Sequence, residues 1–206
     1  MEDVLEVYQR PHDPARPVVC LDETSKQLIS ETRVPIPAKP GRPVRHDYEY
    51  ARNGTANLFM LFAPSKVGAR SRSPTAMPPW TTLSSSRIWP IRTFPTHDRS
   101  CWCRTTSAPH KPASLYQAFP AAEARRLVER FEWHYTPRHG SWLDMAEPEI
   151  SVLSRQCLNR RIPDKQALIE EVAAWQASRN KRHIKADWQF TTADARVKLK
   201  RLYPAI

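Results

Sequence analysis

No stretch of the chain approaches the roughly 18 apolar residues of a membrane span, and Met1 to Arg10 is acidic and mixed, unlike a secretory leader. The expectation is a cytosolic protein. The four cysteines (Cys20, Cys101, Cys103 and Cys157) fall into none of the spacings that build a zinc finger or ribbon. They argue for a reducing compartment and against a metal cluster, with no case for Cys101 or Cys103 as ligands. No internal repeat is present, which leaves one domain as the default for 206 residues. Acidic residues are scarce: 21 Asp and Glu stand against 32 Lys and Arg, a net charge of +11. Such an excess favours a polyanionic partner, because cations that neutralise phosphates release counterions.

The shortage of acids is sharpest between Pro64 and Pro109, where there is no Glu, one Asp (Asp98) and seven Lys or Arg among clusters of Ser, Thr and Pro. Seven cations less one acid put +6 of the +11 in this window. Its composition is that of a disordered segment or a Pro/Ser-rich linker. It also has the character of a reading-frame shift. Ser65-Lys66-Val67-Gly68 can be encoded by TCG-AAG-GTT-GGC, and a preceding T gives Phe-Glu-Gly-Trp one base upstream. Around Met77 and Trp80, whose codons are fixed, the upstream frame can read Val-Lys-Val-Thr-Asp-Arg-His-Ala-Thr-Val-Asp-Tyr, which alternates like a strand. From Ser100 to Ala108 it can read Ser-Ile-Val-Leu-Val-Gln-Asp-Asn-Leu-Ser, a buried strand ending in an acid. One base lost near Pro64 and one gained near Pro109 and His110 would account for both borders.

Outside the window the pattern is that of a mixed α/β domain. Pro17 to Leu21 is an apolar run closed by Asp22-Glu23-Thr24-Ser25, as in a buried strand with acids at its end. Residues 34 to 45 are Pro-rich and basic and are expected to be loop. Asp47 to Ala51 and Ala56 to Phe62 flank Arg52-Asn53-Gly54-Thr55, a hairpin signal that predicts two antiparallel strands. Helices are expected over Pro112 to Phe119, Ala121 to Arg130, Glu147 to Leu158, Asp164 to Arg179 and Thr192 to Tyr203, with a short strand at Phe131 to Tyr135. Asp164 is positioned to cap its helix, and Thr191 with Asp194 has the spacing of a capping box.

Asp22 at a strand end, Glu147 at a helix start, and the Asp of the shifted frame at a second strand end could together hold two divalent ions. Ions about 3.5–4 Å apart activate a water or 3′-hydroxyl and stabilise the leaving oxygen in phosphoryl transfer, and carboxylate oxygens suit Mg²⁺. On spacing alone, Asp22 reads equally well as a solvated cap.

Three runs carry a resemblance: Val18-Val19-Cys20-Leu21-Asp22-Glu23-Thr24-Ser25-Lys26, Arg52-Asn53-Gly54-Thr55-Ala56-Asn57-Leu58-Phe59, and His134-Tyr135-Thr136-Pro137-Arg138-His139-Gly140-Ser141-Trp142-Leu143-Asp144-Met145-Ala146-Glu147. Together with the tail from Leu153 to Pro204, they closely resemble bacterial insertion-sequence transposases of the mariner superfamily, the DDE endonucleases. The resemblance implies a ribonuclease-H-like mixed sheet with flanking helices, here with its central strand replaced by a disordered segment. Residues 1–63 and 111–206 would be the two parts of the catalytic domain, and 64–110 the frame-shifted insert. It also implies that Asp22 and Glu147 are catalytic and ligate Mg²⁺ in a two-metal site.

That family's second Asp lies in a strand ending Asp-Asn-Leu-x-Thr-His before Lys-Pro-Ala-Ser. Here Lys111-Pro112-Ala113-Ser114 follow on cue, while the Asp-Asn has become Arg104-Thr105-Thr106. The shifted frame restores the motif at the required place, which favours the frameshift over the linker. Two further departures are Asp144 in place of the usual Asn, and Pro148 after Glu147, which a first helical turn accommodates. The family's N-terminal helix-turn-helix region has no counterpart in the 21 residues before Asp22.

The function so implied is metal-dependent DNA cleavage and strand transfer during transposition, on element ends and target DNA, in the bacterial cytosol, with a homodimer possible in the intact family. Without its second Asp the copy as written is expected to be inactive. Arg138, Arg160, Arg161, Lys198, Lys200 and Arg201 are candidate DNA-backbone contacts, or a solvated charged face. His134 and His139 read equally as structural. The alternative in a different class is a non-catalytic, basic nucleic-acid-binding remnant.

Overall fold

In a computed structural model, the described residues are 1–13, 15–64, 100–104, 113, 116, 119–182, 186 and 188–203. They form a mixed α/β fold on one four-stranded sheet. In chain order the elements are α1 (Glu2–Gln9), β1 (Val18–Glu31), β2 (Tyr50–Phe62), β3 (Ser100–Arg104), α2 (Ala121–Arg130), β4 (Phe131–Tyr135), α3 (Ala146–Leu153), α4 (Lys165–Lys181) and α5 (Thr192–Lys198). A 3₁₀ turn at Ser141–Leu143 precedes α3, a π turn at Ser154–Leu158 follows it, and a second 3₁₀ turn, Lys200–Leu202, follows α5. The sheet order is β2-β1-β3-β4. β2 runs antiparallel to β1, whereas β3 and β4 are parallel to it.

Two sequence expectations about the hairpin are corrected. Strand β1 does not stop at Asp22 but continues to Glu31, with Asp22 opposite Met60. The Asn53-Gly54 pair is not a turn either; it lies inside β2 and forms a bulge. Gln27 pairs with Thr55 and Ile29 with Arg52, so two residues of β2 oppose the single Leu28 of β1. Gly54 takes φ +87°, a conformation that costs glycine nothing and lets the strand run on. Asn53 finds its partner outside the sheet, donating from Nδ2 to the Pro163 carbonyl at 2.8 Å. The turn itself is the loop between Glu31 and Tyr50, which carries only two isolated bridges, Ile36 with Arg45 and Lys39 with Arg42.

The expectation that the central strand is replaced by a disordered segment is corrected for the part of 64–110 that is described. Ser100–Arg104 is a strand, seated between β1 and β4. Cys20 is opposite Cys103 and Leu21 opposite Arg104 on one side, and Cys103 is opposite His134 on the other. The physical reason is alternation. Cys101 and Cys103 point to the same face and are buried, and a free cysteine packs as a small apolar side chain. Residues 65–99 and 105–110 lie outside the described residues. So does most of the helix expected over Pro112 to Phe119, although Ala113 and Tyr116 are helical.

One face of the sheet carries the main core. Cys20, Leu58, Met60, Cys101 and Cys103 pack there with Val4, Leu5, Val7 and Tyr8 of α1 and with Leu143, Met145, Ala146 and Leu153 around α3. Helix α1 follows from its apolar stripe and its first-turn acids, Glu2 and Asp3, at the positive end of the dipole. Tyr8 fastens it: the buried hydroxyl donates to the Leu143 carbonyl at 2.8 Å. The opposite face holds a smaller cluster of Val19, Leu61 and Phe131.

The C-terminal helices form as their caps predict. Asp164 Oδ1 accepts from Ala167 N at 2.9 Å, and Thr191 with Asp194 closes a reciprocal capping box. Lys26 on β1 donates from Nζ to the carbonyls of Leu158 (2.6 Å) and Arg160 (2.8 Å). It thereby puts a cation where the π turn exposes its last acceptors.

Candidate functional site

Asp22 and Glu147 arrive from the two elements the sequence assigned them. Asp22 shares the sheet face of Cys20, two residues earlier on β1, and that is the face on which Leu143, Met145 and Ala146 pack. Helix α3, which carries Glu147, lies across β1 and β2. Asp22 is half-buried and its Oδ1 accepts from the Glu23 amide at 2.9 Å.

Glu147 is set up by the turn before it. Gly140 N donates to the Pro137 carbonyl at 2.9 Å, and His139 adopts φ 63° to make the bend. A Cβ on Gly140 would meet Pro137 Cγ at 2.7 Å, so only glycine fits. Asp144, fully buried, then accepts from Ala146 N at 2.9 Å and starts the helix. Glu147 Oε1 accepts from Ser141 Oγ at 3.3 Å. Its Oε2 is buried with no hydrogen-bond partner among the described residues. A buried carboxylate oxygen left in this way is costly unless a cation completes it, and a carboxylate oxygen is a hard donor of the kind that suits Mg²⁺.

Helix α3 is held from behind by Glu149, which is buried and paired with Arg179 of α4. Arg179 Nη2 donates to Glu149 Oε2 at 2.7 Å and its Nε to Oε1, and the guanidinium also lies 5.6 Å from the Trp175 ring centroid.

The candidate DNA-contact residues divide into two kinds. Arg161 is an internal strut, donating to Glu31 Oε2 at 2.6 Å and to the Asp47 carbonyl at 2.8 Å. Arg160 pairs with Glu171, and Lys198 lies 3.8 Å from Asp194 and 5.6 Å from the Phe190 centroid. Arg138, Lys200 and Arg201 are exposed and make no ion pair among the described residues. His139 is exposed, whereas His134 is buried.

At the other end of the parallel strands is a cluster the sequence did not reveal. Cys101, Glu132 and His134 bring ligand atoms within 4.8 Å of one another, which corrects the expectation that Cys101 has no case as a ligand. Spacing rules seek ligands within one segment, whereas here Cys101 faces Glu132 across the β3–β4 pair. The legible signal was Glu132-x-His134, two ligand types on one strand face; its partner strand was not legible.

Arg10 Nη1 donates to Glu132 Oε1 at 2.7 Å and Arg16 Nη2 to Oε2 at 2.6 Å. These guanidiniums, Arg10 foremost, hold the Glu132 carboxyl down to about 2 against its burial. Burial, reinforced by the neighbouring Glu132 charge, pushes the Cys101 thiol up to about 11. The cluster opens into a cleft of about 370 Å³ between α1, the following loop and Trp188.

No family model, curated protein or solved structure matches the chain. No helix among the described residues is long and apolar enough to cross a membrane.

Proposed function

We propose that the chain is the catalytic domain of a mariner-superfamily insertion-sequence transposase, ribonuclease-H-like in fold, carried in a copy whose reading frame has shifted between Pro64 and Pro109. The observation that carries this proposal is the neighbourhood of Asp22. A three-carboxylate site needs a second strand parallel to and beside the strand of Asp22. Strand β3 lies there, its last residue Arg104 opposite Leu21, one position before Asp22. The motif of the resembled family has its second Asp immediately beyond that point, at Arg104-Thr105-Thr106. Helix α3, packed on the same strand, supplies Glu147 with its uncompleted oxygen.

In this function Asp22 and Glu147 hold Mg²⁺. Bound Mg²⁺ supplies an activated water or 3′-hydroxyl and stabilises the leaving oxygen of the DNA phosphodiester. The chain's own contribution is to fix the two carboxylates on rigid elements and to keep the Glu147 oxygen out of bulk water. Two carboxylates in place of three leave one bridging negative charge missing, so the copy as written folds its sheet but does not cut. DNA ends and target DNA are the partners, in the bacterial cytosol, with a homodimer possible in the intact family.

The test is an Mg²⁺-dependent cleavage and strand-transfer assay on DNA carrying the element's ends. The purified chain is expected to be inert and a frame-restored chain active. Cutting by the chain as written, abolished by Asp22→Asn, would overturn the inactive state; inertness of the frame-restored chain would count against the transposase reading.

A second function is favoured by the exposed, unpaired Arg138, Lys200 and Arg201: a non-catalytic nucleic-acid-binding remnant. Its sign is salt-dependent DNA binding that neither Asp22→Ala nor Glu147→Ala alters.

A further inference from the structure

The hydrogen bonds of His134 set a carboxylate oxygen against each ring nitrogen. Nδ1 lies 2.8 Å from Asp3 Oδ2 and Nε2 lies 3.1 Å from Glu132 Oε1. A neutral imidazole has one N–H. If Nδ1 donates it to Asp3, the lone pair of Nε2 faces a carboxylate oxygen, acceptor against acceptor. Only a proton on Nε2 or a metal ion beside it removes that repulsion.

We propose that Cys101 Sγ, Glu132 and His134 Nε2 form a site for a zinc-type divalent ion, separate from the carboxylate site at Asp22. Three features favour the metal over the proton. The donors are a thiolate, an imidazole and a carboxylate, the set that selects zinc-like ions over Mg²⁺. Their spacing admits an ion: Cys101 Sγ is 3.2 Å from Glu132 Oε2 and His134 Nε2 is 3.1 Å from Oε1, and one ligand atom from each of the three residues lies within 4.8 Å of the other two. Tetrahedral zinc with bonds of about 2.3 Å to sulfur and 2.0–2.1 Å to nitrogen or oxygen requires ligand edges of about 3.3–3.5 Å, a few tenths away. Finally, Asp3 accepts the other ring N–H, as the outer carboxylate behind a metal-bound histidine does, fixing tautomer and orientation.

The 370 Å³ cleft gives an ion its route in and leaves a fourth position for water. Arg10 Nη1, 2.7 Å from Glu132 Oε1 and 3.5 Å from Cys101 Sγ, is the cation in residence. Binding therefore swings this half-exposed guanidinium out into the cleft and releases the thiol proton to solvent. Arg10 is a competitor for the site, which a purely structural ion-pair cluster would not predict.

The test is titration of the full chain with Co²⁺ as the zinc probe, read by the thiolate-to-cobalt charge-transfer absorption. The expected result is one Co²⁺ per chain, displaced by Zn²⁺ and unaffected by excess Mg²⁺. Cys101→Ser should abolish the band, whereas Cys103→Ser and Cys157→Ser should keep it. Asp3→Asn, which keeps the side-chain shape at an exposed helix start, should weaken binding about 10- to 100-fold, and Arg10→Gln should tighten it several-fold. Absence of the band in the full chain, its persistence in Cys101→Ser, or weaker binding by Arg10→Gln would each overturn the proposal. None of these outcomes depends on whether the chain cuts DNA.

Discussion

The two ends of the parallel strands treat carboxylates in opposite ways. At the end where β1 and α3 meet, Glu147 keeps a buried oxygen with no hydrogen-bond partner among the described residues. At the other end Glu132 is more than satisfied: two guanidiniums, a thiol and an imidazole crowd its two oxygens. The first arrangement withholds a partner from one of the two carboxylate oxygens. The second already has its cation, in the form of arginine. The strand carboxylate and the helix carboxylate thus differ as much in the partners they lack as in those they touch.

The sharpest way to break this comparison is to complete the first end. Restoring the reading frame between Pro64 and Pro109 should convert a chain with no detectable Mg²⁺-dependent DNA cleavage into one that cleaves, with Asp22→Asn returning it to background. Supporting contacts come next. Arg179→Ala strands the buried Glu149 charge behind α3 and should cost about 3–5 kcal/mol in urea unfolding; replacing both partners with apolar residues should recover most of that loss. Gly140→Ala drives a Cβ against the Pro137 ring in the turn before Glu147 and should cost about 1–3 kcal/mol.

The other end should respond more gently. Glu132→Gln removes the anchor of Arg10 and Arg16, whose side chains are 41% and 47% exposed, so the loss should stay near 1 kcal/mol. Acid should do the same by titration. Because the folded Glu132 carboxyl lies near 2 rather than the usual 4.5, its contribution is present above about pH 4.5 and fades as the pH falls towards 2. Urea midpoints should therefore decline less steeply over that interval in Glu132→Gln than in the unaltered chain.

Much of the helical part was legible because its signals are local. Asp164 and the Thr191–Asp194 box declare helix starts whatever surrounds them, and β4 follows α2 at the residues its pattern indicates. Long-range choices were not legible. Asn53-Gly54 carries a turn signal, yet pairing with β1 on both sides of the dipeptide turns it into a bulge. Helix α1 was missed because its apolar stripe is half obscured by acids that pair at a distance, Glu2 with Arg196 and Asp3 with His134. Strand β3 was missed because composition over 64–110 concealed five residues whose alternation suffices for a sheet. The place of Glu147 in the first turn of a helix was legible, but the Cys101–Glu132–His134 group required knowing which strand lies beside β4.

Tyr8 has a consequence for the order of events as the chain is made. Its hydroxyl is bonded to a residue 135 positions later, and Glu2 to one 194 positions later. Helix α1 therefore cannot complete its seat, under the buried stripe of Val4, Leu5, Val7 and Tyr8, until the turn at 141–143 and helix α5 have been made. Contacts of such separation slow folding, and an apolar helix kept waiting through synthesis is the segment most exposed to capture by chaperones or by other nascent copies.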